Sequence, residues 1–190
     1  MKEEDSPKKF KYKVASFYNF TSIIDDDILL IKEKLSEFAK NQQIKGTLLL
    51  ASEGVNGTVC GPEKAITQFV EILKQFLRIS DLNVKYSWTE KQAFRRFKAR
   101  KKKEIVTIGL HQINPNKCVG KYVKAADWND FLKDPDSLVI DTRNEYEIKI
   151  GNFAGALNPH TSSFREFPAW VKKHLKPLIK KNPSLKIGMY

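Results

Sequence analysis

The sequence predicts an α+β amino-terminal half followed by an α/β carboxyl-terminal half, and three observations carry that expectation. Across residues 10–92 the apolar pattern runs strand, helix, strand, strand, helix, strand. Beyond residue 118 short apolar strands alternate with helical stretches. Between them, over 93–117, lies a connecting segment that opens with a dense run of cations.

Each element has a local reason. "KVASFYNF" is aromatic-rich and of strand length. Asp25, Asp26 and Asp27 offer N-cap and first-turn carboxylates to the helix "DDDILLIKEKLSEFAK", whose Ile28, Ile31, Leu35 and Phe38 share one face. "GTLLLAS" reads as a buried strand, "EGVNG" as a turn and "TVCG" as a short strand after it. Pro62 suits the first position of the next helix, which carries a broad face of Ile66, Phe69, Val70, Leu73, Phe76 and Leu77. In "LNVKYSWT", Leu82, Val84, Tyr86 and Trp88 alternate with polar residues. Together these make a split βαβ, ferredoxin-like domain over 10–92, with both helices on one face of an antiparallel sheet.

The second half, 118–190, opens near "CVGKYV". "DWNDFLKDPDSLVIDTRNEYE" holds a short helix, an Asp-Pro turn and the strand "SLVID", which ends on Asp141, Thr142 and Arg143. "GNFAGALNP" reads as a tight turn and another short strand, and "SFRE" as a capping box on Ser163 and Glu166. Phe164, Phe167 and Val171 face a core, with Pro168 dividing that helix. After Asn182-Pro183, Leu185, Ile187 and Met189 alternate with polar or small residues in a closing strand. A parallel sheet is normally covered on both faces, so this half reads as an incomplete α/β domain.

The net charge of +12 on 190 residues argues for a polyanionic partner. Arg95, Arg96, Lys98, Arg100, Lys101, Lys102 and Lys103 supply over half of that excess, with Phe94 and Phe97 interleaved. Such a stretch can hold phosphates and stack on bases, which is the reading we take; the alternative is a solvated strand edge where lysine discourages aggregation. Attraction to a membrane has no amphipathic anchor to support it, and no apolar run is long enough to span one. Cys60 and Cys118, far apart, read as reduced thiols of a cytoplasmic protein. His111, His160 and His174 are scattered, so no metal site is legible, and no cofactor motif of the Walker or dinucleotide type appears. Asp141 and Arg143 form either an internal salt bridge that fixes a loop or part of a catalytic centre at a strand exit, and the two readings are compatible.

"VIDTRNEYE", "GNFAGALNP" and "SFREFPAWV", followed by a strand ending in "MY", resemble the first part of a rhodanese domain. With "GTLLLASEGVNGTVCG" and "FRRFKARKKKEIVTIG" they resemble the bacterial family of rhodanese-containing tRNA uridine hydroxylases, from about Phe10 to Tyr190. The resemblance implies tRNA as partner, dioxygen as co-substrate and hydroxylation of carbon five of the wobble uridine. It also implies a nucleophilic cysteine in a loop just after Tyr190, with Asp141 and Arg143 supporting that loop. On this expectation the chain is cut before its nucleophile and is inactive alone. Asn152 stands where ordinary rhodaneses often carry histidine, which weakens a sulfurtransferase assignment. That activity, on a small thiol acceptor, is the first rival reading. A non-catalytic RNA-binding module is the second.

Overall fold

A computed structural model describes residues 10–110, 113 and 119–190. His111, Cys118 and the expected junction at 117–118 lie outside the described residues. Two compact units emerge, one of residues 10–106 and one of 107–110 with 119–190.

The first unit is built from β1 (Tyr12–Phe20), α1 (Asp25–Asn41), β2 (Lys45–Ala51), β3 (Gly54–Gly61), α2 (Glu63–Leu77), β4 (Asn83–Thr89) and β5 (Phe97–Lys101). The sheet order is β4-β1-β3-β2-β5. The first four strands pair antiparallel, which is the ferredoxin-like plan the sequence predicts. Its core explains why. Ile28, Ile31, Leu35 and Ala39 from α1 and Ile66, Phe69, Val70 and Leu73 from α2 pack on Ala15, Phe17, Leu48, Leu50, Val55 and Val59 of the sheet. The helical residues recur at steps of three and four, whereas those of the strands recur at even steps, so each element gives one side to the same core.

Three local expectations are corrected. Gly54–Gly61 is a continuous strand, so only Ser52 and Glu53 separate it from β2 and "EGVNG" is not a long turn. Ile24 is the N-cap of α1, and the three aspartates all lie in the first turn, where they still face the positive end of the helix dipole. Pro62 is the cap of α2 rather than its first residue.

The larger correction concerns the basic segment. Residues 97–101 are not a connector but a fifth strand, paired parallel with β2. Phe97 and Ala99 join the helix-side core, and β5 covers an edge of β2 that would otherwise expose unpaired amide and carbonyl groups. Because β4 and β5 lie at opposite edges, the chain between them crosses the end of the sheet, where Gln92 Nε2 donates to the carbonyl of Cys60 at 3.1 Å.

The second unit holds α3 (Trp128–Lys133), β6 (Ser137–Ile140), α4 (Glu145–Ile148), α5 (Phe167–Trp170), α6 (Lys176–Lys181) and β7 (Lys186–Met189). Strands β6 and β7 pair parallel, Ser137 with Lys186 through Ile140 with Met189. "ALNP" is not a strand; it contributes a single bridge, Leu157 to Ile140. Pro168 does not divide a helix but sits in the first turn of α5, where its missing N–H costs nothing. From Phe167 the helical path runs on through a widened π turn, Val171–Leu175, into α6. That turn precedes Pro177, which could not donate within a regular helix. The expected capping box is displaced: Glu166 accepts from the backbone N–H of Ser162 at 3.1 Å and from its hydroxyl, and the Ser163 side chain makes no cap bond to the helix backbone. Ile140, Phe167 and Leu175 form the small core, with Phe164, Val171 and Ile187 against it. Among the described residues no helix is long and apolar enough to cross a membrane.

Candidate functional site

Strand alternation sorts the cations. Phe97, Ala99 and Lys101 point to the helix side of the sheet, where Lys101 Nζ pairs with the Asp25 carboxylate at the start of α1. Lys98 and Arg100, opposite Thr47 and Leu49, emerge on the other face. Arg95 and Arg96 lie exposed just before the strand, and Lys102 and Lys103 exposed just after it. Lys101 therefore differs from the rest of the expected phosphate-binding set in having a carboxylate beside it.

The two phenylalanines part company as well. Phe97 meets Phe69 edge-on with centroids 5.9 Å apart and is part of the core. Phe94 lines a surface groove with Thr47, Arg95, Arg96 and Lys98. On the helix side, Arg95 and Arg96 also border a second depression with Lys40, Gln43 and Lys45. Cys60 lies buried at the end of β3, and burial pushes its thiol upward in pKa despite a hydrogen bond from the Ala93 backbone. A protonated buried thiol is a structural residue rather than a nucleophile.

In the second unit, the end of β6 carries a tightly satisfied carboxylate. Asp141 is 1% exposed. Arg143 embraces it with a fork, Nε to Oδ1 at 3.0 Å and Nη2 to Oδ2 at 2.7 Å, and adds its own backbone N–H at 3.1 Å. These donors hold the Asp141 carboxyl well below the ordinary carboxylate range, at about 2, against the opposing effect of burial. The same guanidinium donates to the Gly151 carbonyl at 2.7 Å and lies over the Tyr190 ring, 4.9 Å from its centroid.

Tyr190 is the residue that sequence reasoning missed. Its carbonyl accepts from the backbone N–H of Thr142 at 2.9 Å and from the Thr142 hydroxyl at 2.8 Å. Its own hydroxyl accepts from the backbone N–H of Phe153 at 3.0 Å. The ring stands edge-on to Phe153 and Trp128, at 4.7 and 6.2 Å. Gly188 lets β7 approach closely, since a Cβ there would come within 2.7 Å of the Phe131 ring. Burial raises the pKa of the Tyr190 phenol. The carboxyl ends of both parallel strands are thus fastened to each other, which is where α/β folds place chemistry. Nearby in sequence, Glu145 Oε1 accepts from Asn158 and meets His160 Nδ1, each at 3.0 Å. Among the described residues no cluster of three His, Cys, Asp or Glu side chains is arranged to hold a metal.

Comparison with known proteins adds two findings. The family described as "UPF0176 acylphosphatase like domain" matches residues 12–105, so the first unit, β5 included, is an acylphosphatase-like α+β domain. The whole chain aligns with curated proteins named tRNA uridine(34) hydroxylase. It is 78% identical over 190 residues to that of Prochlorococcus marinus strain NATL2A, covering all of this chain and 60% of the relative. It is 47% identical over 188 residues to that of Prochlorococcus marinus strain MIT 9303, covering 99% and 61%. For Synechococcus sp. strain CC9605 the identity is 48% over 182 residues, covering 93% and 56%. Along its whole length the chain is similar to these hydroxylases, and it spans about 60% of the length of the curated relatives it matches.

Proposed function

We propose that the protein to which this chain belongs is a tRNA-modifying oxidoreductase that hydroxylates carbon five of the uridine at position 34. The observation that carries the reading is the 78% identity, across all 190 residues, to a protein named for that activity. The first unit supplies the RNA-binding charge, through Arg95, Arg96, Lys98, Arg100, Lys102 and Lys103. The second unit is the amino-terminal part of a rhodanese-like domain, a reading supported by its parallel β6–β7 pair and crossover helices. In the full-length protein a loop following Tyr190 carries a cysteine that acts in the reaction, with dioxygen as co-substrate.

In this scheme Asp141 and Arg143 are positioning residues. Their bidentate pair, together with the Thr142–Tyr190 bonds, fixes the direction in which the chain leaves β7. A loop that curls from a fixed strand end can aim successive backbone N–H groups at one thiolate and lower its pKa. The protein works in the cytoplasm, where tRNA is its partner.

The test is chemical. The gene is deleted and tRNA nucleosides are analysed by mass spectrometry, before and after restoring the full-length gene. The reading requires 5-hydroxyuridine or its derivatives at position 34 to vanish and return. Unchanged modification in the deletion strain would sink it.

A further inference from the structure

We infer that the helix-free face of the five-stranded sheet is a platform for single-stranded RNA, entered at the β5 edge through the groove beside Phe94. The inference rests on the reading of the protein as a tRNA-modifying enzyme. It goes further by naming the surface and the form of RNA that fits it.

Register carries the argument. Lys85 lies opposite Ser16, Ser16 opposite Thr58, Thr58 opposite Thr47, and Thr47 opposite Lys98. These five residues form one row across all five strands, with a cation at each end and three hydroxyls between. Ser16 and Thr58 hydrogen bond at 3.1 Å in its centre. At ordinary strand spacing the row is about 19 Å long. Arg100, opposite Leu49, and Arg96, one residue before the pairing of Phe97 with Gly46, place further cations along the same edge. The chain after β5 closes one end of the face, where Asn56 Nδ2 donates to the Ile105 carbonyl at 3.3 Å. No aspartate or glutamate projects from the strands on this face, whose residues are Lys, Arg, Ser, Thr, Asn, Tyr, Phe, Val, Leu, Ala, Gly and Cys; the carboxylate of Glu53, in the turn between β2 and β3, accepts from the Ile105 N–H at 2.7 Å. The acidic residues of the unit's helices, Asp25 and Glu63 among them, lie in the opposite layer.

Such a face is electrostatically complementary to a polyanion, and its chemistry selects among polyanions. Hydroxyl and amide side chains at the level of the sheet can reach the Watson–Crick edges of unpaired bases, which a duplex uses for its own pairing. Phe94 lines a groove together with Arg95, Arg96 and Lys98, a composition on which a base can stack while adjacent phosphates are neutralised. Phe97 cannot serve, because Phe69 occupies its ring. The occupant is therefore a single-stranded RNA segment, as a tRNA loop presents.

The test uses the full-length protein and a labelled tRNA, with competition by a single-stranded RNA oligonucleotide and by duplex RNA. Circular dichroism confirms that each variant is folded. Phe94→Ala and Lys98→Glu are each expected to weaken tRNA binding about tenfold or more. Lys101→Ala, on the helix side, is expected to leave it within about twofold. The single strand should displace tRNA far better than the duplex. Equal weakening by Lys101→Ala and Lys98→Glu, wild-type affinity in Phe94→Ala, or equal competition by duplex overturns the platform. If that happens while deletion of the gene still abolishes position-34 hydroxylation, the proposed activity stands and only the platform falls. Absence of any tRNA binding by the unsubstituted protein overturns the platform outright.

Discussion

The ring of Phe97 meets that of Phe69 edge-on, centroids 5.9 Å apart, and this contact fastens the most basic strand of the protein to helix α2. Phe38 and Phe17 lie beside the same Phe69 ring, at 6.5 and 6.4 Å. Truncating Phe97 to alanine therefore loosens an aromatic cluster as well as a strand. The expected cost is about 2–3 kcal/mol, below the full range for a buried aromatic because Phe97 is half-buried. Denaturant unfolding of the first unit measures it, and a loss under about 1 kcal/mol would remove Phe97 from the core.

Arg143→Ala leaves the buried Asp141 carboxylate without its fork. Removing Arg143 strands a charge inside the fold, and the second unit should unfold at lower denaturant. Adding Asp141→Asn to that variant should restore part of the loss, since a neutral amide needs no counter-charge. If the double variant is as unstable as the single, the cost lies elsewhere than in the stranded charge.

The same pair sets an acid limit. Asp141 titrates at about 2 in the folded chain, below its ordinary value of about 3.9. A depressed carboxyl stabilises the fold above the ordinary value and loses that contribution as pH falls through the folded one. Between about pH 4 and pH 2 the second unit should lose stability in the native chain, and less steeply in Asp141→Asn. Parallel pH curves for the two proteins would contradict the assignment.

Gly46 has φ +139°, and a Cβ there would lie 2.2 Å from the carbonyl oxygen of Thr58 on the neighbouring strand. Backbone cannot yield as a side chain does, so Gly46→Ala should cost roughly 3 kcal/mol by opening the β2–β3 pair. Gly151→Ala, with nothing within 4 Å, is the control and should fall within about 0.5 kcal/mol of the native chain. Equal melting temperatures for the two variants would rule out the close approach.

Lys101 and Asp25 pair at the surface, with side chains 40% and 67% exposed. Exposed pairs contribute little, so Lys101→Ala should change stability by under about 1 kcal/mol. A larger loss in thermal unfolding would show that the pair does more than neutralise a charge.

Much of the fold was legible. The six elements from β1 to β4 follow from apolar period alone, as do the paired strands of the second unit. Strand β5 was hidden because three of its five residues are cations, and strand propensity says little about a segment whose partner, β2, lies some fifty residues earlier. "ALNP" misled in the opposite direction: its apolar residues mimic a strand, yet only Leu157 reaches Ile140. The Asp141–Arg143 pair could be read at a spacing of two. Tyr190 could not, because the groups it holds, Phe153 and Thr142, lie 37 and 48 residues away.

The sequence by itself determined the elements from β1 to β4, and that the chain is rich in cations, because periodicity and composition are local properties of a polymer. Only the tertiary structure decided which cations share a surface. Lys98 and Lys101 are three residues apart and chemically alike, yet the pleat sends one to the open face and the other to Asp25. That division depends on the register between β5 and β2, and packing of Phe97 and Ala99 against two helices holds it there.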